Sequence, residues 1–425
     1  MNTTSKTNVL IVGSGGREHA LGWKIKKSKH VENLYFAPGN GGTSVNIEID
    51  TNEYEKLKLF AKQKSCLTIV GPETPLSKGI VDLFHESEVD ILGPTKAASK
   101  LEASKSYAKK FMTDNGIRTA EYRSFSDADR AKDYVVRQTK DLVVKADGLA
   151  SGKGVFVCNG TEDSLSAVNL LMTQKKFGSA GNRIIVEERL EGEEVSFIAL
   201  SDGKTVIPLA SSRDHKRLLD NDKGPNTGGM GSYSPAYIID DRLHKEVMQE
   251  IMIPTIDGMR NIGTPFVGFL YAGLIIEKNS GKPYVLEYNV RMGDPECQAI
   301  IMRMKSDLFE YVEAAINGTL ESLPVINWDD QYSVCVIMCA KGYPGDYRTG
   351  QEIRGIHTQP SDRVVVFHSG TRRDSNNNIF TNGGRVLGVT SLGNGLSEAI
   401  GNAYSAVEKI SWGNGCQYYR KDIGQ

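Results

Sequence analysis

Four short apolar runs near the N-terminus, "NVLIVG" (8–13), "NLYFAPG" (33–39), "LTIVGPE" (67–73) and "DILGPT" (90–95), each end at glycine or proline and give way to a polar turn. Helix-length segments lie between and after them, beginning at Arg17 and spanning 54–64, 76–87 and 97–114. Strands that are apolar throughout are buried on both faces, which confines them to a parallel sheet covered by helices. Residues 1–104 are therefore expected to form a Rossmann-like α/β domain with sites at the strands' carboxyl ends.

The remaining chain changes pattern. "LVVKADGLASGKGVFV" has two β-rich runs joined by small residues, and "RIIVEERLEGEEVSFIAL" closes a small subdomain at about 122–192. A polar stretch, 211–235, has little periodicity and reads as a long loop, which in a compact domain is usually functional or disordered. A helix at about 240–260, the hairpin "GFLYAGLIIE"/"KPYVLEYNVR" and a helix near 304–317 complete a central region, 105–325. Residues 326–425 read as a small α/β domain of strands with a helix at 396–410. No internal repeat or low-complexity tract is found, and 425 residues suit roughly three domains.

Fifty-one basic residues against fifty-two acidic leave a formal charge of -1. That balance implies no general attraction to nucleic acid or to an anionic membrane, so any anion must be met by a local site. The N-terminus lacks a signal peptide's basic start and long apolar core, and no apolar run approaches the roughly 18 residues of a membrane span. Cysteines 66, 158, 297, 335, 339 and 416 are scattered, and no His or Cys follows Cys335 and Cys339 at metal-ligand spacing. Buried reduced thiols in a cytoplasmic protein are expected.

"VLIVGSGGREHA" fails as a dinucleotide fingerprint. Glu18 occupies the third glycine position, and the second strand ends "YFAPGN" without the acid that would hold a ribose hydroxyl. What remains is a glycine turn at a helix N-terminus, where N–H groups and the helix dipole suit a phosphate and Arg17 can join as a bidentate partner. The alternative is a tight turn beside an exposed arginine.

"VVKADGLASGKGV" lacks Walker spacing, but its tip at 147–154, with Gly152, Lys153 and Gly154, offers backbone N–H groups able to fold over a polyphosphate. Lys145 lies inside the preceding strand, where a buried ammonium calls for an anion. Lys105 sits on the helix that leads from the first domain into this region. In "VEERLEGEEVSF", an extended segment through Glu187, Glu188 and Leu190 can pair a nucleobase edge with main-chain groups, and Glu194 can accept from ribose hydroxyls; a solvated acidic edge is the other reading.

"YVLEYNVRMGDPE" (284–296) has the most telling pattern. Strand side chains alternate, so Glu287, Asn289 and Arg291 share one face while Leu286, Tyr288 and Val290 occupy the other. Two oxygen donors two residues apart suit a hard cation, and a solvated edge face is the other reading.

Together, "VVKADGLASGKGV", "VEERLEGEE" and "LEYNVRMGDPE" resemble an ATP-grasp ligase. More narrowly, "GSGGREHAL", "APGN", "VGPETPL", "DHKR", "GPNTGGMGSYSP", "GFLYAGL", "RMGDPE", "GYPGDYRTG", "TNGGRVLGVT" and "YYRKDIG" resemble the phosphoribosylamine-glycine ligase family, from about residue 8 to 424. No second enzyme domain is expected to follow, unlike in the fused members of that family.

The resemblance implies an ATP-grasp fold with the Rossmann-like N-terminal domain and a small mixed C-terminal domain. It implies ATP as a substrate and Mg2+ (or Mn2+) at Glu287 and Asn289, with Lys105 and Lys145 on the nucleotide phosphates. Arg291 is then suited to the carboxylate being activated, and Asp214 to an amino group. His215 and Lys216 are candidates for phosphate. Gly15, Gly16, Arg17 and Asn40 are assigned to ribose 5-phosphate. Glu277, at the exit of "GLIIE", is an open candidate ligand, and 147–154 and 211–235 are candidate lids. The implied partners are small molecules only, with a monomer or weak homodimer expected. The rivals are a bicarbonate-using ATP-grasp ligase and a nucleotide-responsive binding protein without chemistry.

Overall fold

Val9, Leu10, Ile11 and Val12 are each 0% exposed, worth about 1.5–3 kcal/mol of transfer free energy per side chain. They belong to Thr7–Gly13, which lies between Val31–Pro38 and Cys66–Val70 in a four-stranded parallel sheet completed by Ile91–Leu92. The expected Rossmann-like sheet is thus present in the computed structural model, which describes residues 6–150, 153–356 and 363–425.

Two of the expected helices are each broken in two. Gly79, at φ 94°, separates Glu73–Lys78 from Ile80–His85. Ser104 separates Lys100–Ala103 from Lys105–Asp114 because it leaves helical geometry to become the second helix's N-cap, accepting from the Tyr107 N–H at 3.2 Å.

The central region holds two antiparallel sheets. The smaller subdomain orders Tyr122–Phe125, Ile184–Glu188, Leu142–Ala146 and Val155–Val157, and packs its own core of Ala131, Val135, Val144, Leu171 and Val186. The larger sheet orders Val206–Pro208, Gly192–Asp202, Val267–Glu277 and Pro283–Asn289. Its Phe197, Leu270, Val285 and Tyr288 share a core with Leu10 and Val12 of the N-terminal sheet, so these two regions pack as one.

The stretch 211–235 is not a loop. Arg213–Asp214 and Gly231–Ser234 are strands of the six-stranded C-terminal sheet, alongside Tyr332–Ala340, Arg385–Gly393 and Val364–His368. Between them Arg217–Leu219 and Lys223–Asn226 form a hairpin. A helix absent from the sequence reading, Glu296–Arg303, has all eight residues buried and packs between the helix Gly16–Ile25 and the C-terminal sheet. Among the described residues the cysteines are free, all but Cys416 buried, and no helix is long and apolar enough to cross a membrane.

Candidate active site

A cleft of about 770 Å³ opens where the three regions meet. Its floor is the strand Pro283–Asn289, which carries a β-bulge: Gly273 opposes Glu287 and Leu274 opposes Val285, leaving Leu286 unopposed. The alternation of Glu287, Asn289 and Arg291 against Tyr288 and Val290 holds, but the bulge turns Leu286 to the cleft beside Glu287 instead of into the core. Gly273 makes room for the acid, since a Cβ there would lie 3.3 Å from Glu287 Cγ.

Burial opposes ionisation of Glu287, yet Lys216, Lys105, Lys145 and Arg291 hold its carboxyl below the ordinary value. A carboxylate and an amide oxygen on one strand face, ringed by cations, form a donor set that fits a hard divalent ion accompanied by polyanions. Glu277 lies apart at the hairpin turn, where hydrogen bonds from the Asn279 and Ser280 N–H groups lower it to about 2; it does not line the cleft.

Lys105 and Lys145 line the cleft. The helix led by Lys105 is fixed by Asp147, whose Oδ1 accepts from the Ser106 N–H at 2.6 Å. Lys145 pairs with Glu187 and donates to the Leu286 carbonyl at 3.2 Å. Glu187 lies beneath the cleft, where Lys109 reaches it at 2.5 Å from the other side. Burial pushes the Glu187 carboxyl up, but the two ammonium groups hold it below its ordinary value, and burial lowers Lys109 to about 8. Glu188 and Leu190 also stand outside the cleft lining, Glu188 accepting from the Glu121 N–H at 3.2 Å. Glu194 lines the cleft and pairs with Lys216 at 3.4 Å. In the 147–154 hairpin, Gly154 lines the cleft and Lys153 is exposed, donating to the Pro344 carbonyl at 3.4 Å; Gly152 lies outside the described residues.

Arg291 enters the cleft already engaged. Its Nε donates to Glu73 Oε2 at 3.2 Å, NH1 to the Met292 carbonyl at 3.2 Å, and NH2 to both Glu102 Oε1 at 2.9 Å and Asn289 Oδ1 at 3.1 Å. Burial pushes Glu102 up to about 7 against the pull of Arg291. Opposite, Asp214 presents a buried Oδ1 without a hydrogen-bond partner, and burial beside Glu296 raises its pKa well above the ordinary value. His215 is neutral at pH 7, lowered to about 4 by burial and Arg420, and its Nε2 accepts from the Gly424 N–H at 3.3 Å. Burial works against the Lys216 charge, but Glu194, Glu287 and Asp214 hold its ammonium above the ordinary range.

The glycine turn differs from a bare phosphate cradle. Glu18 folds back so that Oε2 accepts from the Gly15 N–H at 2.6 Å, while Oε1 accepts from Arg17 Nε at 2.6 Å. The small residues serve that carboxylate, since a Cβ on Gly13 would come within 2.4 Å of Glu18 Cγ. Gly15 and Arg17 line the cleft; Gly16 and Asn40 do not. Gly16 packs against Gln298, and Asn40 Nδ2 clamps the turn by donating to the Ser14 and His368 carbonyls at 2.8 Å each.

Sequence reasoning passed over Glu73, Glu102, Asp294, Glu296 and Arg385, all of which line the cleft. Glu73, Asp294, Glu296 and Arg385 sit inside quoted motifs ("VGPETPL", "RMGDPE", "TNGGRVLGVT"), where a charged residue next to a glycine or proline was the available signal; Glu102 has no such neighbour and carried none. Asp294 Oδ2 pairs with Arg385 at 3.2 Å, and Arg385 also donates to the Asp294 carbonyl at 2.6 Å, which seats the C-terminal sheet on the cleft.

Residues 7–102 match the N domain of phosphoribosylglycinamide synthetase, 103–297 its ATP-grasp (A) domain and 333–425 its C domain. Over 423 residues the chain is 48% identical to a phosphoribosylamine-glycine ligase of Vibrio vulnificus, covering 98% of this chain and 97% of the relative. A solved phosphoribosylamine-glycine ligase from Thermotoga maritima superposes with a TM-score of 0.85 at 33% identity, over 98% of this chain and 100% of its own. A biotin carboxylase from Campylobacter jejuni gives a TM-score of 0.73 at 16% identity, over 100% and 95%, and that likeness shows the fold alone.

Proposed function

The chain belongs to the phosphoribosylglycinamide synthetase family, and on that premise we propose that its cleft joins glycine to 5-phosphoribosylamine, with ATP cleaved to ADP and phosphate, giving glycinamide ribonucleotide in purine biosynthesis. A carboxylate is a poor electrophile. In the first step a glycine carboxylate oxygen bonds the γ-phosphorus of ATP and the bond to ADP breaks, giving glycyl phosphate. The amine nitrogen then bonds the acyl carbon, phosphate leaves, and the amine gives up a proton.

Transfer of this kind depends on positioning and charge neutralisation. Lys105 and Lys145 take the nucleotide phosphates, Lys145 exchanging Glu187 for phosphate while Lys109 stays on that acid. Glu287 and Asn289 would hold the divalent ion, read here as Mg2+ with Mn2+ as a substitute, which supplies neutralisation to the phosphate oxygens. Four of Arg291's five N–H groups are taken, leaving one for an acyl or phosphate oxygen. Asp214, with its unpartnered oxygen, is the group for an amine. Gly15 and Arg17 lie on the side assigned to the sugar phosphate, with Gly16 and Asn40 framing the turn behind them. Adenosine falls to the extended chain from Glu187 through Leu190 and to Glu194. The hairpin around Gly154 and the hairpin 217–226 cover the site, and acyl phosphates require that exclusion of water.

The observation that carries this reading is Glu287 ionised amid Lys216, Lys105, Lys145 and Arg291 in the cleft. The test is ADP release with ATP, Mg2+ and glycine, with phosphoribosylamine supplied by mixing ribose 5-phosphate and ammonia. ADP that appears only when glycine and both precursors are present supports the ligase; ADP released with bicarbonate in place of glycine overturns it.

A further inference from the structure

The geometry points to Glu102 as a positioning residue that orients the Asn289 side-chain oxygen through Arg291, an inference that rests on reading Glu287 and Asn289 as the metal pair. Glu102 is only 7% exposed and sits on the short helix Lys100–Ala103, three residues before Lys105. Its two oxygens divide their work. Oε2 accepts from the Val290 N–H at 2.7 Å, fixing the main chain between Asn289 and Arg291, and Oε1 accepts from Arg291 NH2 at 2.9 Å. That same nitrogen donates to Asn289 Oδ1 at 3.1 Å. An amide oxygen has two lone pairs; with one directed at the guanidinium, the other is set for a cation.

Glu73 meets the guanidinium only through Nε, at 3.2 Å. Glu102 therefore differs from Glu73 in touching both the strand backbone and the nitrogen that reaches Asn289. It also ties the segment carrying Lys105 to the strand carrying the oxygen donors, so the phosphate and metal subsites move as a unit. A group that orients a ligand side chain without touching the ion typically contributes about 10–100-fold to metal affinity or activity.

Glu102→Gln keeps the size and an acceptor for Val290 but sets an NH2 group against Arg291. The experiment is a titration of the full-length chain with Mn2+ in the presence of ADP, read by electron paramagnetic resonance, alongside kcat and KM for ATP. Mn2+ affinity should fall about 10–100-fold, with kcat reduced and the KM for ATP moved less than about threefold. Glu73→Gln should weaken Mn2+ binding less than Glu102→Gln does. Mn2+ affinity in Glu102→Gln within about twofold of the parent, with binding lost in Asn289→Ala, overturns this inference and leaves the metal reading standing. Binding retained in Asn289→Ala removes both. If Glu102→Gln does not fold, Glu102→Asp, which keeps the charge but lacks the reach to span both donors, decides by the same titration.

Discussion

Arg420 donates NH1 to Asp222 Oδ1 at 2.7 Å across 198 residues. The same nitrogen reaches the Arg217 carbonyl at 3.1 Å, Asp422 accepts from the other guanidinium nitrogens, and the Asn221 N–H donates to Asp422 at 2.8 Å. The C-terminal tail is thereby a latch on the hairpin 217–226, whose Arg217, Asp222 and Asn226 line the cleft. Arg420→Met should cost about 2 kcal/mol of stability, the scale for hydrogen bonds to charged groups. Hydrogen exchange should quicken in peptides covering 217–226 and leave the N-terminal sheet unchanged. Unchanged exchange in the hairpin would show that the tail does not hold it.

Acid should loosen the same contact. His215 has its pKa lowered to about 4 by burial, with Arg420 and Arg213 pushing down and Asp222 and Asp422 pulling up. The unfolded chain, with an ordinary histidine near 6.5, binds the extra proton first as pH falls, so His215 contributes full stability above about 6.5 and loses it progressively towards 4. The shift corresponds to at most about 3 kcal/mol. Melting temperature measured from pH 7 to pH 4 should fall more steeply in the parent than in His215→Gln, whose amide oxygen can still accept from Gly424. Parallel curves would remove His215 from the account of acid sensitivity.

Why the sequence exposed some of this and hid the rest follows from range and period. Glu287, Asn289 and Arg291 were legible because a period of two survives along one strand, and the parallel sheet was legible from runs buried on both faces. Leu286 was misplaced because a bulge depends on the partner strand's register, not on the hydrophobicity of its own. The strands within 211–235 are two to four residues long, too short for any period to register. Glu102 and Glu73 meet Arg291 across 189 and 218 residues, a relationship no local pattern contains. Glu18 was noticed only as a misfit to a fingerprint, although it is the residue the glycines surround.

Lys109 should matter to nucleotide binding without entering the cleft. It and Lys145 share Glu187, both ammonium groups nearly sealed from solvent. If Lys109 is replaced by methionine, Lys145 becomes the only counter-ion of a buried carboxylate and is held back from phosphate. Lys109→Met should raise the KM for ATP about tenfold, equivalent to about 1.4 kcal/mol, and lower stability by about 3 kcal/mol, as expected when a buried ionic network loses a member. Lys109→Met with Glu187→Gln should recover much of the ATP affinity, because the competing charge is gone. A double variant no better than the single would sink the competition argument and leave Lys109 a stabilising residue only.

Gly71→Ala tests the glycine turn and the Arg17 assignment together. A Cβ at Gly71 would stand 1.9 Å from Glu18 Oε1, so the Glu18 carboxyl must leave its place between the strands. Its displacement frees the Gly15 N–H and deprives Arg17 of its partner at 2.6 Å, leaving the bond to the Met292 carbonyl at 3.1 Å. Overpacking of this kind should lower stability by about 2 kcal/mol. The KM for phosphoribosylamine should rise in Gly71→Ala and in Arg17→Ala alike, with the KM for ATP within about twofold of the parent, since only one subsite is disturbed. Steady-state kinetics with each substrate varied in turn separates the two constants. If both rise equally in Arg17→Ala, the arginine serves the closed cleft as a whole, and the sugar phosphate must be held elsewhere along its wall.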